Sequence, residues 1–142
     1  MAKVWVAGWL TLAIALLTHE IVSFGIFHGF LTGERDFLFY MYPSGIGEIF
    51  GFSLLSSAIF ALPLALFSYL CKPKRLRLIG LGVIWTALCF WGYYGTAFEY
   101  RAHFGATWLP HEPFWELMWS PWLTPPATLL GLVPFMWFSR LR

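Results

Sequence analysis

The sequence predicts an all-α integral membrane bundle of four transmembrane helices. Three observations predict it. The chain is 59% hydrophobic and only 11% charged, against roughly 25% charged in soluble domains, so it has too little polar surface to cover a water-soluble globule. Its apolar residues fall into runs long enough to cross a ~30 Å hydrocarbon layer. Its charges are sorted by sign along the chain, as they are when alternate loops face opposite sides of a membrane. The 142 residues suit one compact domain.

The first run is Val4–Leu17, preceded by Lys3, with Trp5 and Trp9 near its start. It is too short to span alone, so the expected span, about 4–27, takes in Thr18, His19 and Glu20. A signal peptide is the competing reading of Lys3 plus an apolar stretch, but no clear small-x-small cleavage site follows. Gly33-Glu34-Arg35-Asp36 is a polar break, Phe37–Tyr42 an aromatic interfacial stretch, and Pro43-Ser44-Gly45 a turn signal. The second span is expected at about 46–70. It contains Gly47-x-x-x-Gly51 followed by Ser57, Ala58, Ala61 and Ala65, small residues that let helix backbones approach closely. Packing within the chain is the plainer use of them; a dimer face is the other.

Cys71-Lys72-Pro73-Lys74-Arg75-Leu76-Arg77 holds four of the nine Lys and Arg residues and reads as a cytoplasmic loop. The third span is expected at about 78–98. Glu99–His103 leaves the membrane, and 105–120 forms an outer loop of Trp, Pro and acids in which Pro113 suits the first position of a short helix. The last span is expected at about 122–138. Four spans place both termini with the basic loop, in the cytoplasm, most simply at a bacterial inner membrane. Lys3, Lys72, Lys74, Arg75, Arg77, Arg140 and Arg142 then lie inside. All seven acids and all four His lie in the outer half. The Lys/Arg bias alone sets the orientation; the clustering of acids and His is independent of it. Cys71 and Cys89 lie at different depths and fit no CxxC or zinc pattern, which argues against a disulfide.

Candidate chemistry therefore gathers at the outer end. Glu20 lies roughly 24 Å along the first helix from Val4, in the outer third of the hydrocarbon layer, where a carboxylate is costly unless protonated, paired or facing a cavity. His19 is its neighbour, turned about 100° away. Glu48 belongs to the first turn of the second span. Glu99 and His103 are spaced i, i+4 and share a face if the third helix continues past Arg101. A metal site built from His19, Glu20, Glu48, Glu99 and His103 would suit a transition metal such as Zn, Cu, Fe or Mn. His28, His111, Glu112 and Glu116 are possible accessories. Such a site requires convergence within ~2–2.6 Å of one point. The plain alternative is that these are solvated interface residues, with Glu116 near the positive end of a short helix. Bis-His haem ligation is disfavoured because His103 lies too far out to match His19 in depth.

The chain lacks a nucleophile triad, a P-loop and a dinucleotide fingerprint, and it has no basic–aromatic surface for nucleic acid. The expected partners are the lipid bilayer and a larger membrane protein or complex. The leading expectation is a non-enzymatic subunit, assembly factor or immunity-type protein. A metal- or proton-dependent activity at the outer face is the alternative, and a proton-coupled transporter is a third possibility that would need a polar path to the inner side.

Overall fold

Apolar side chains need shelter from water; here one set is covered by neighbouring helices, and long apolar rows remain exposed on the helix exteriors. The computed structural model describes residues 1–23, 46–103 and 109–140, with the side chains of 46–49, 99–103 and 117 outside that description. The described residues are helical, with no strand among them. The long helices are α1 (Ala2–Glu20), α2 (Ile46–Leu70), α3 (Lys74–His103) and α4 (Thr124–Arg140). A single turn of wider, π-type helix continues α1 over 21–23. A second π segment, Phe114–Met118, lies between α3 and α4. Pro113 sits at its start, where a missing N–H costs nothing.

Three stretches among the described residues are long and apolar enough to cross a membrane: Ala2–Ser23, Phe50–Leu70 and Lys74–Phe98. The expected fourth span is helical over Thr124–Arg140. Its 17 described residues rise about 25 Å, with Pro125 and Pro126 in the first turn; residues 141–142 lie outside the described residues. The third helix is longer than its expected span. Its 30 residues rise about 45 Å, so it outruns the hydrocarbon layer. The basic residues Lys74, Arg75 and Arg77 belong to its first turn rather than to a loop, and the connection between α2 and α3 shrinks to a tight turn at 71–73. The polar break at 33–36, the aromatic stretch 37–42, the turn at 43–45 and His28 lie outside the described residues.

Contacts give the relative directions. Gly8 on α1 approaches Leu64 and Ala61 on α2, whereas Glu20 meets Ser53, so α1 and α2 run antiparallel. Thr11 meets Trp85 and His19 stacks on Tyr93, so α1 and α3 run parallel. His19 meets Thr124 and Gly8 approaches Phe135, so α4 runs against α1. Lys3, the 71–77 turn and Arg140 therefore share one end of the molecule. Glu20, Glu112 and Glu116 lie toward the other.

α1 touches all three other long helices, most extensively α2 and then α4. Its inward row is Val4, Gly8, Leu12, Ala15 and His19, and its outward row is Val6, Leu10 and Ile14. On α3 the buried residues recur every fourth position: Leu81, Trp85, Cys89, Tyr93 and Ala97. That spacing is the ridge one helix presents to a neighbour's groove. The outward rows of α2, α3 and α4 are as apolar as the core. Leu55, Ile59, Leu62 and Leu66, then Ile79 and Val83, then Leu129 and Val133 are all exposed. Polarity separates the two surfaces instead. Thr11, His19, Glu20, Ser53, Ser57, Thr124 and Thr128 are all buried.

Small residues set how closely the helices approach. Ser57, Ala61 and Ala65 of the α2 stripe are buried against the other helices, so this part of the stripe serves packing within the chain. Gly51, at its outer end, has nothing within 4 Å of where a Cβ would stand. Gly131 on α4 is the opposite case. A Cβ there would collide with the Thr11 carbonyl oxygen and lie 2.6 Å from Cζ2 of Trp85. A carbonyl of a packed helix cannot move aside as a side-chain tip can. Gly131→Ala is expected to destabilise the protein by about 1–3 kcal/mol through overpacking. Gly51→Ala is expected to be neutral or to stabilise by up to about 1 kcal/mol through helix propensity. Thermal unfolding of both variants in the same detergent checks the contrast.

Candidate functional site

The half of the helix core away from the 71–73 turn holds the buried ionisable groups, and the hydrogen bonds around them can be followed atom by atom. His19 is fully buried. Its Nε2 lies 2.9 Å from Oγ1 of Thr124. That hydroxyl donates to the Met118 carbonyl at 3.0 Å and accepts from the Ser120 N–H at 3.0 Å. With its one proton committed to Met118, Thr124 can only accept from His19. The network therefore assigns the proton of His19 to Nε2. Nδ1 is left as an acceptor, buried and without a hydrogen-bond partner.

The imidazole stacks on the ring of Tyr93, with centroids 3.9 Å apart and planes 23° from parallel. The Tyr93 hydroxyl begins a second chain of bonds whose direction is also set by its last acceptor. Thr128 Oγ1 donates to the Thr124 carbonyl at 2.7 Å. Tyr93 O–H must then donate to Thr128 Oγ1, 3.3 Å away. The Cys89 thiol donates to the Tyr93 oxygen at 3.3 Å. Cys89 and Tyr93 are one turn apart on α3, and Thr124 and Thr128 are one turn apart on α4. One member of each pair, Tyr93 and Thr124, meets His19.

Glu20 faces elsewhere. It is 4% exposed and its Oε2 accepts a 3.3 Å hydrogen bond from Ser53 on α2. It also lines a cavity of 160 Å³ between α1, α2 and α3, together with Ser53, Ser56, Phe60, Trp91 and Thr96. Phe52 and Trp91, at the cavity's edge, are exposed by 52% and 66%, so it opens sideways through the outer surface of α2 and α3. Gly92 and Gly95 leave it room.

The α1 helix therefore turns His19 to α3 and α4, and Glu20 to α2. The two share no partner in the hydrogen bonds described above, as expected for side chains about 100° apart. Glu48 lies in the first turn of α2. Glu99 and His103 lie one turn apart on the unbroken α3. The side chains of these three are outside the described residues, and so is His28. Among the described residues no group of three or more His, Cys, Asp and Glu is placed to hold a metal ion. Among the accessories, His111 is exposed. The Glu112 carboxylate accepts the Leu109 N–H at 2.7 Å. Glu116 is exposed in the first turn of the π segment. Glu112 thus orders its own turn, and Glu116 takes the favourable acidic position at a helix start. The segment from Pro110 to Trp119 is held to α3 by aromatic contacts. Phe114 packs against Phe90 and Tyr94, and Trp119 against Phe90.

Toward the end that carries the 71–73 turn, the polar groups among the described residues become isolated. Trp85 Nε1 donates to Thr11 Oγ1 at 3.1 Å, and Thr11 donates to the Ala7 carbonyl at 2.7 Å. Below them Leu64, Leu81 and Phe135 are fully enclosed. Beyond these, the hydroxyl oxygens of Ser68 and Ser139 are buried without partners.

Tyr93 and Thr124 are as central to this site as His19, yet no pattern in the sequence singles out either of them. Their spacing to Cys89 and Thr128 is all that it offers. Among the described residues the chain is helical, with three helices long and apolar enough to cross a membrane. No protein-family model matches it, and no curated protein or solved structure matches it significantly.

Two substitutions separate the bonds around His19. Thr124→Val keeps the shape of the side chain but leaves His19 Nε2–H, Ser120 N–H and the Met118 carbonyl without their shared partner. Each buried orphan costs about 1–3 kcal/mol. Tyr93→Phe keeps the stacked ring and loses one hydroxyl, for about 0.6–1.7 kcal/mol at membrane depth. Unfolding of the two variants in detergent should therefore rank Thr124→Val as the more damaging.

Proposed function

We propose that the chain is a four-span protein of a bacterial inner membrane, with both termini cytoplasmic, and that it acts without covalent chemistry. Its role is that of a subunit, assembly factor or immunity-type protein packing against a larger membrane partner. The observation that carries this reading is how the outer polar groups are used. The side-chain protons of Cys89, Tyr93, Thr124 and Thr128, and the Nε2 proton of His19, are all committed to hydrogen bonds. The His19–Thr124 and Tyr93–Thr128 bonds join helices, and none of these hydroxyl or thiol groups donates its proton to a basic side chain that would activate it.

Several further features support the reading. Six basic residues, Lys3, Lys72, Lys74, Arg75, Arg77 and Arg140, gather at one end, the pattern of a cytoplasmic face. The α4 helix packs on α1 and carries its own exposed apolar row, Leu129, Leu130, Val133, Trp137 and Phe138. With Trp122 and Leu123 before it, that row suits a fourth span. Gly51, open on the outer part of α2, offers a close backbone approach to a partner helix.

A photo-crosslinking residue at Gly51 or Leu55 tests the partner reading in native membranes. The expected result is one discrete adduct with a larger membrane protein, and none from Val133 on α4. Copurification of that protein at fixed stoichiometry in mild detergent should accompany it. A lone monomer with no adduct at any of these positions would overturn the reading.

A metal- or proton-dependent activity is the second reading. The unpartnered Nδ1 of His19 favours it, and Glu48, Glu99 and His103 would have to complete the donor set. Stoichiometric metal in the purified protein, lost in His19→Gln, would replace the first reading with this one.

A further inference from the structure

An open groove of about 550 Å³ runs along the outside of the protein between α3 and α4. Three helical rows line it. On α3 one row is Leu78, Gly82 and Thr86, and the next is Ile79, Val83 and Ala87. On α4 the row is Leu132 and Met136. Side chains four residues apart share a helix face, so each row can be followed one turn further toward the 71–73 turn. The first row arrives at Lys74, the second at Arg75 and the third at Arg140. Every row that lines the groove therefore ends in an exposed cation at the same end of the molecule. Among the described residues no Asp or Glu lies at that end.

Length and lining select the occupant. From Leu78 to Ala87 the groove extends about 14 Å. One leaflet contributes about half of a ~30 Å hydrocarbon layer, so the groove has the reach of a single acyl chain. A partner helix would cross the whole layer and needs a seam of small residues for close approach. Here Ile79 and Val83, exposed by 66% and 64%, stand beside Gly82 and hold a second backbone away. A flexible chain lies between such side chains. Gly82 gives it room, because a Cβ there would meet only Met136, 3.8 Å from its Sδ. The matching guest has an apolar tail of leaflet length and a negative charge at its head.

We propose that the α3–α4 groove binds an anionic phospholipid, with one acyl chain along Gly82 and the phosphate among Lys74, Arg75 and Arg140. Basic clusters between helices at the membrane surface hold anionic headgroups in this way. The inference requires α3 to lie in the bilayer and needs no protein partner. The partner proposed above is sought at Gly51 and Leu55 of α2, so either idea can fail without the other.

Native mass spectrometry of the full chain tests the site. The protein in detergent is titrated with phosphatidylglycerol, or with phosphatidylcholine of the same acyl chains. Saturable retention of one phosphatidylglycerol per chain is expected, at least about tenfold tighter than phosphatidylcholine. Arg75→Gln and Arg140→Gln should each weaken it about fivefold, the scale of one cation near a membrane surface. Lys3→Gln removes an equal charge from the same end of the molecule, on a helix that does not line the groove, and should leave binding unchanged. Gly82→Leu fills the groove without altering charge and should weaken binding several-fold. Ala87→Leu, at an exposed position, acts in the same direction and keeps the test decisive if Gly82→Leu fails to fold. The proposal is overturned by equal retention of the two lipids, or by unaltered affinity in the folded groove variants. Equal losses in Lys3→Gln and Arg140→Gln, the mark of diffuse charge attraction, would also overturn it. So would a dimer or a protein complex that excludes phosphatidylglycerol and is broken by Ala87→Leu, since the groove would then hold a helix.

Discussion

The hydrogen bond from His19 to Thr124 is the constraint on which the half of the core away from the basic turn depends. A polar group at this depth has no water to fall back on, and leaving it unpaired costs more than the bond itself supplies. His19 therefore selects which surface of α4 it meets and at what height. Thr124 can satisfy it only by passing its own proton to Met118, which draws the chain before α4 into place. The stacked ring of Tyr93 then sets the height of α3 against α1. One imidazole thus registers three helices, and the Cys89–Tyr93–Thr128 chain repeats the registration one turn further along.

The same logic runs the length of α1. Trp5 and Trp9 donate their indole N–H groups to the Ala58 and Leu54 carbonyls of α2. Thr11 accepts from Trp85 of α3, and His19 bonds to α4. Each of the other long helices is tied to α1 by at least one specific hydrogen bond. In a membrane, where lipid tails are as apolar as leucine, helices gain little from hiding apolar surface against each other. Packing and hydrogen bonds of about 0.6–2 kcal/mol each take over that role. Gly8 and Gly131 bring the backbones near enough for those bonds to close. The apolar exterior stays uncommitted, which is why the exposed rows of α2, α3 and α4 resemble the buried ones in composition and differ only in lacking polar partners.

Much of this was legible in the sequence, and the boundary is physical. Charge is expensive in hydrocarbon, so Lys72 to Arg77 had to mark a helix end, and α2 and α3 do meet there. Helical geometry alone required His19 and Glu20 to diverge, and they do. The depth of Glu20 implied a partner or a cavity, and it has both Ser53 and a cavity. The roles of Tyr93 and Thr124 were not legible. These helices are apolar on every side, so no amphipathic stripe reveals which face turns inward. Pairing Tyr93 with His19 needs the register of α1 against α3, which is set by contacts such as Gly92 with Leu16 that no local pattern encodes. The length of α3 was missed for a related reason. Its last turns, Glu99 to His103, are polar and read as the end of a span, although a helix can continue into water after its membrane crossing is complete.

The arrangement around Thr124 turns on the protonation of one ring, because the direction of every bond there follows from it. Nitrogen-15 chemical shifts of the histidines, recorded on the protein in lipid and assigned through His19→Gln, read that state directly. A His19 signal with protonated Nε2 and unprotonated Nδ1 is the predicted result. A signal with the proton on Nδ1, or with both nitrogens freely exchanging with water, would contradict the buried His19–Thr124 bond and the helix registration built on it.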